Sequence, residues 1–243
     1  MRLAVFQHIN VEHPGIFREF LAADGIEWTA FELDEGESVP DLSTFDALWV
    51  MGGPMDVWEV DEHPWLTDEV SAIKRAVVER RMPFFGFCLG HQLLALALGA
   101  QVGPAARPEV GMMKVAATDE GKGSALFRGL PDPQLCLQWH GAEVKSVPDG
   151  AKCLATSEDC AIQALDYQGY AFGVQYHVEI TEKTVAEWGA VPAYATALEQ
   201  VLGKAGLREF EAACESALPA CNALARQLYD NFMKIAVERT RRQ

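Results

Sequence analysis

Pro83-Phe84-Phe85-Gly86-Phe87-Cys88-Leu89-Gly90-His91-Gln92 decides the reading of this chain. Its first half is a short apolar run of the kind that fills a buried strand, and Leu93 to Leu98 continue as a helix without a loop. A turn that sharp needs small residues on either side of Cys88, and it lifts the Cys88 side chain to the carboxyl end of the strand. Cys88 then stands at a helix N-terminus, where unpaired amides and the macrodipole favour thiolate over thiol. The Leu89 amide is placed to hold an oxyanion. The same pattern also suits a core cysteine between two packing glycines.

On both sides of this stretch, apolar runs alternate with segments of helical period, the pattern of a mostly parallel sheet covered by helices. Leu3 to Phe6, Trp28 to Glu32 and Ala47 to Met51 read as strands, and Gly15 to Asp24 and Trp65 to Arg81 as helices. In the second helix Trp65, Val70, Ile73, Val77 and Val78 share the inner face. Asp68, Glu69, Lys74, Arg75 and Glu79 point outward. Between Gly111 and Gln175 turn residues come closely, predicting shorter and partly antiparallel strands around Gln134 to Trp139, Ala161 to Leu165 and Ala171 to Tyr176. Thr181 to Leu202 and Leu207 to Val237 read as helices of a C-terminal extension.

Two further segments end at the same edge of such a sheet. In Gly173-Val174-Gln175-Tyr176-His177-Val178-Glu179, residues two apart share a side, so Glu179 is able to hold the His177 ring while its other nitrogen faces a nucleophile. In Trp49-Val50-Met51-Gly52-Gly53-Pro54 a double glycine lets a backbone amide approach an oxyanion as a second donor beside Leu89. Each alone also fits an ordinary strand end. Together they meet the requirement of a thiol acyl-transfer site, a cysteine with a histidine and an acidic orienter.

These three segments, in this order and with 89 positions between Cys88 and His177, resemble the class I (triad-type) glutamine amidotransferase family. The resemblance covers roughly Leu3 to Ile180. It implies a flavodoxin-like three-layer α/β/α domain over 1–180, with 181–243 as a helical extension packed on it. It also implies Cys88 as nucleophile, His177 as base and acid, and Glu179 as orienter. The oxyanion hole would come from Gly53 and Leu89, and the substrate contacts from Gly52, Gln92 and His140. Gln138-Trp139-His140-Gly141 resembles a loop at the substrate's amino-acid end, although Ala142 stands where the family often has Asp. His177-Val178-Glu179 lacks the family's frequent middle proline.

The implied reaction hydrolyses the side-chain amide of glutamine, or a γ-glutamyl amide, through a thioester on Cys88. It uses no metal or organic cofactor. Two biological settings stay open: an amidohydrolase acting alone, or a glutaminase subunit delivering ammonia to a separate synthase. A non-catalytic binding or scaffold relative is a third. No P-loop or second catalytic domain is legible.

Composition trims the alternatives. Among 243 residues, 20 Lys and Arg face 35 Asp and Glu, a formal net charge of -15, which argues against nucleic acid and anionic membrane as partners. Arg239, Arg241 and Arg242, the basic cluster, read as a helix end. No apolar run approaches the ~20 residues of a membrane span, and no leader pattern is present, which predicts a cytoplasmic protein. Cys136, Cys153, Cys160, Cys214 and Cys221 read as small buried hydrophobes, and His8, His13, His63 and His91 as packing residues.

Overall fold

The β-rich body is built from β1 (Arg2–Gln7), β2 (Glu27–Glu32), β3 (Ala47–Val50), β4 (Phe84–Phe87), β5 (Val102–Ala117), β6 (Gln134–Val144), β7 (Ala151–Thr156), β8 (Ala164–Tyr167) and β9 (Ala171–Val174). Between and after them lie α1 (Phe17–Ala23), α2 (Trp65–Lys74), α3 (Leu89–Ala97), α4 (Asp119–Gly123), α5 (Thr184–Gly189), α6 (Pro192–Leu202) and α7 (Gly206–Thr240). The structure, a computed structural model, describes residues 1–241.

One nine-stranded sheet runs in the order β2-β1-β3-β4-β9-β8-β7-β5-β6. From β2 to β9 every pairing is parallel, and from β9 to β6 every pairing is antiparallel. The sheet is therefore mixed, where the sequence pattern predicts a mostly parallel one. The reason lies in the connections. Parallel neighbours need a long crossover, which α1, α2 and α3 supply; beyond Val102 the strands are joined by turns and one five-residue helix, so they reverse. The turn residues at Gly103, Pro104, Pro108 and Gly111 do not break β5. Its pairing with β6 shifts register between Pro104 and Glu109, and that bulge absorbs the misfit.

Strand periodicity sorts the core. Leu3, Val5, Trp49, Phe85 and Phe87 face one layer of helices, where Phe17 and Leu21 of α1 meet Leu224, Leu228, Tyr229 and Phe232 of α7. Ala4, Phe6, Leu48, Val50 and Phe84 face the other, against Leu66 and Ile73 of α2 and Leu89, Leu93 and Leu94 of α3. Both faces are covered, which is why these strands read as unbroken apolar runs. A π-helical turn over Arg75–Glu79 follows α2 and changes its register; Val78, expected inward, is 38% exposed. Glu69, expected outward, is fully buried.

The predicted helix Thr181–Leu202 is two helices, α5 and α6, with Pro192 in the first turn of the second. The distal half of α7 completes the main core. Its proximal residues Phe210, Cys214 and Cys221 pack with α5, α6 and with Leu137 and Trp139 of β6. Pro219, which cannot donate to the helix ladder, falls near the end of the proximal part. Arg239 donates from Nε to the Arg81 carbonyl at 2.7 Å and lies over the Tyr170 ring, tethering the end of α7; Arg242 lies outside the described residues. Among the described residues no helix is long and apolar enough to cross a membrane.

Candidate active site

Cys88 links β4 to α3 with φ 47° and ψ -102°, a conformation that costs a non-glycine residue about 1–3 kcal/mol. The glycines around it are demanded by close approach. A Cβ at Gly86 would fall 2.4 Å from the Gly90 carbonyl oxygen, and one at Gly90 would fall 2.1 Å from that of Val50. The Cys88 amide donates to Val174 of β9 at 2.8 Å, so the neighbouring parallel strand holds the turn in place. The thiol borders a cavity of ≈ 190 Å³ together with Gly53, Leu89, Gln92, His140 and Tyr194. The sequence therefore brings five of its candidates to one cavity.

His177 arrives from the strand next door. It exchanges both backbone hydrogen bonds with Leu137 of β6, at 2.8 and 3.2 Å, and Trp188 of α5 packs edge-on against its ring at 4.6 Å. Nδ1 lies 2.6 Å from Glu179 Oε1, and the second Glu179 oxygen accepts from the Val178 amide at 2.9 Å. The carboxylate is thus fixed at both ends. Nε2 is buried without a hydrogen-bond partner, beside the Cys88 thiol. Burial opposes charge on this ring, but Glu179 and Cys88 outweigh it and raise its pKa well above the usual histidine value. Burial raises the Cys88 pKa, and the adjacent His177 offsets only part of this. Burial therefore works against the thiolate that the helix N-terminus favours at Cys88.

Gln92 donates to the Ala142 carbonyl at 3.3 Å and to Gln175 Oε1 at 3.2 Å, and Gln175 Nε2 donates to Cys88 Sγ at 3.5 Å. Gln175 is a site residue the sequence reading passed over, although it precedes His177 by two and so shares its side of the strand. Gly52 lies behind the cavity, between His8 and Glu12, and does not face it as a substrate contact would. His8 is buried, as a packing residue should be, but both ring nitrogens are engaged, with Gly52 and Glu69.

Glu12 and Tyr194 had no sequence signal, being 182 residues apart. The Tyr194 hydroxyl of α6 donates to Glu12 Oε1, while Glu12 Oε2 is buried without a partner. Burial, reinforced by Glu179, raises the Glu12 pKa to about 7, with His177 acting against it. Ala193, Tyr194 and Ala197 of α6 supply a wall of the cavity.

His140 reaches the cavity too, yet its ring is committed: Nδ1 to the Ala142 carbonyl and Nε2 to Glu109 Oε2, each at 2.9 Å. Glu109 also accepts from Ser157 at 2.7 Å and Gln163 at 2.6 Å. With Cys160 these residues place three possible metal-ligand atoms within 4.8 Å of one another. The donor set does not fit a metal centre, because both carboxylate oxygens and both ring nitrogens are already spent on protein hydrogen bonds and burial pushes the Cys160 thiol up to about 12. All six cysteines are free, and Cys153 alone among them is partly exposed.

The family model described as Glutamine amidotransferase class-I matches residues 17–187. The chain is 36% identical over 165 residues to a subunit of the glutamine-hydrolyzing GMP synthase of Sulfolobus acidocaldarius, covering 66% of this chain and 81% of that protein. It is 31% identical over 189 residues to the putative glutamine amidotransferase-like protein YfeJ of Salmonella typhimurium, covering 76% and 78%. In three dimensions it is similar to a glutamine amidotransferase from Thermotoga maritima, with a TM-score of 0.84 and 27% identity over 97% of this chain and 98% of that one. A strained cysteine elbow, a histidine with one nitrogen unspent and a match across most of the chain agree, and this protein belongs to the class I glutamine amidotransferase family.

Proposed function

We propose that Cys88 is the nucleophile of this glutamine amidotransferase, that His177 and Glu179 complete its triad, and that the ammonia released passes to a separate synthase chain. The observation that carries the site is the division of labour on His177: Nδ1 is occupied by Glu179, and Nε2 is free beside the thiol. Substrate entry brings the γ-amide carbonyl against Cys88. His177 takes the thiol proton, sulfur attacks the carbonyl carbon, and the amides of Gly53 and Leu89 hold the oxyanion. Leu89 opens α3, so its N–H has no partner in the helix. His177 then protonates the amide nitrogen as the C–N bond breaks, so that it leaves as ammonia, and water deprotonated by His177 releases glutamate from the thioester and returns the thiol. Gln92 and His140, the latter pinned by Glu109, line the pocket side by side, both reaching the Ala142 carbonyl.

Delivery to a partner is supported by the likeness to a glutamine-hydrolyzing GMP synthase whose name marks it as one subunit of a larger enzyme. The order β2-β1-β3-β4-β9 supports a flavodoxin-like parallel half. The packing of α5 to α7 supports reading 181–243 as an extension of the 1–180 domain. Free cysteines support a cytoplasmic setting.

A hydrolase acting alone is the second reading, favoured by α6, whose Tyr194 walls the cavity from within the same chain. The purified protein, offered glutamine and a γ-glutamyl anilide with Cys88→Ser as control, separates the two. Low glutaminase activity that rises when the synthase component of a two-chain GMP synthase is added supports delivery; faster turnover of the anilide, indifferent to that component, supports the lone hydrolase.

A further inference from the structure

Two successive glycines leave the Gly52–Gly53 peptide plane free to rotate unless something holds it. His8, at the end of β1, is 1% exposed and holds it. Its Nδ1 lies 2.9 Å from the Gly52 carbonyl oxygen and its Nε2 3.0 Å from Glu69 Oε1. Trp65 stacks on the ring at 5.4 Å with an interplanar angle of 10°. Trp65 and Glu69 are four residues apart on α2, so one helical face grips the imidazole by its flat side and its edge. A carbonyl only accepts hydrogen bonds. Whichever partner of the His8–Glu69 pair carries their shared proton, Nδ1 therefore bears a hydrogen and donates it to Gly52.

The consequence follows from peptide geometry. In a trans peptide the C=O and the following N–H point to opposite sides; among the described residues the cis peptide is at Asp132-Pro133. With the Gly52 oxygen tied to His8, the Gly53 N–H faces away from His8. Gly53 borders the cavity with Cys88 and Leu89. On the other side, the Glu12 carboxylate packs so closely on Gly52 that a Cβ there would collide with it. A buried pair such as His8–Glu69 adds little stability over apolar residues of similar size. What it adds here is direction.

We propose that His8, gripped by Trp65 and Glu69, is a positioning residue that keeps the Gly53 amide aimed at the reacting carbonyl oxygen, so that the oxyanion hole is formed before substrate arrives. This rests on the reading of Gly53 as an oxyanion donor. Two conservative variants test it. In His8→Asn, the side-chain Nδ2 stands where the imidazole Nδ1 was and still reaches Gly52. In His8→Gln the amide reaches Glu69 and leaves Gly52 untied. The expected result is a kcat for glutamine reduced about 100-fold in His8→Gln, with KM within about 3-fold of wild type, and within about 5-fold of wild-type kcat in His8→Asn.

Alkylation of Cys88 by iodoacetamide, followed by peptide mass spectrometry, supplies a readout that needs no oxyanion hole, because displacement at a saturated carbon forms no oxyanion. It stays within about 2-fold of wild type in both variants if His8 acts on the oxyanion hole alone. Equal turnover in the two variants, or turnover and alkylation falling in step, overturns the proposal. Turnover that survives Cys88→Ser overturns the site reading itself, an outcome distinct from the failure of the His8 role.

Discussion

Two groupings of cysteine, histidine and glutamate reach the same cavity through one member each: Cys88, grouped with His177 and Glu179, and His140, grouped with Cys160 and Glu109. Their composition is identical and their histidine–carboxylate distances are close, 2.6 and 2.9 Å. They differ in what is left unspent. In the first, one imidazole nitrogen has no partner, and the thiol sits on a strained turn at the start of α3. In the second, both nitrogens face acceptors, the carboxylate takes two further donors, and Cys160 lies in a loop between β7 and β8. On the proposed reading the first grouping moves a proton and the second holds a loop. Residue types do not distinguish a reacting site from a structural network; unsatisfied valence does.

Exchanging the thiols breaks or upholds this contrast most directly. Cys88→Ser is expected to lower glutamine hydrolysis by about 10⁴-fold or more, measured as ammonia release. A smaller loss than ten-fold would mean that Cys88 is not the nucleophile. The structural grouping should answer in stability instead. Glu109→Ala leaves a buried His140 facing no carboxylate, and the chain should lose about 3 kcal/mol in denaturant unfolding. Unchanged stability with lost turnover would move Glu109 into the catalytic machinery.

A third prediction sharpens the contrast through Glu12, the fully buried carboxyl beside the first grouping. Glu12 has a folded pKa raised from 4.5 to about 7, so the folded state favours its protonated form. Stability on this account is full below pH 4.5 and is lost as pH rises through about 7. Glu12→Gln, which keeps an acceptor for Tyr194 and cannot ionise, should gain on wild type between pH 5 and pH 8, by up to about 3 kcal/mol. Melting curves of the two proteins that run parallel across this range would show that Glu12 does not titrate there. The smallest effect belongs to Cys160→Ser, expected within about 3-fold of wild-type turnover and about 1 kcal/mol of its stability. A collapse of activity in that variant would reverse the assignment of the two groupings.

Much of the candidate site was legible because it is local. The elbow is five consecutive residues, His177 and Glu179 are two apart, and Gly52-Gly53 closes a strand, so strand alternation and glycine chemistry carry their meaning within a short window. What was not legible depends on distant partners. Helical period assigns Glu69 to the outer face of α2, but His8, 61 residues earlier, is folded onto it and draws it inside. The 16-residue β5 was not legible at all, because Gly103, Pro104 and Pro108 interrupt its pattern and only a bulge against β6 accommodates them. Tyr194 and Glu12 meet across nearly the whole chain, and no pattern in either segment announces the other.

By itself the sequence determined which residues are able to react and where along the sheet they stand, since strand ends, glycine turns and the spacing of His177 and Glu179 are properties of short segments with fixed geometry. Tertiary structure alone decided how those residues are charged and aimed. Proton affinity and peptide orientation depend on what is packed within a few ångströms: Glu12 and Tyr194 against the back of the site, His8 and Glu69 behind Gly52, Trp188 over His177. Each of those contacts joins segments far apart in the chain, and only folding brings them into contact.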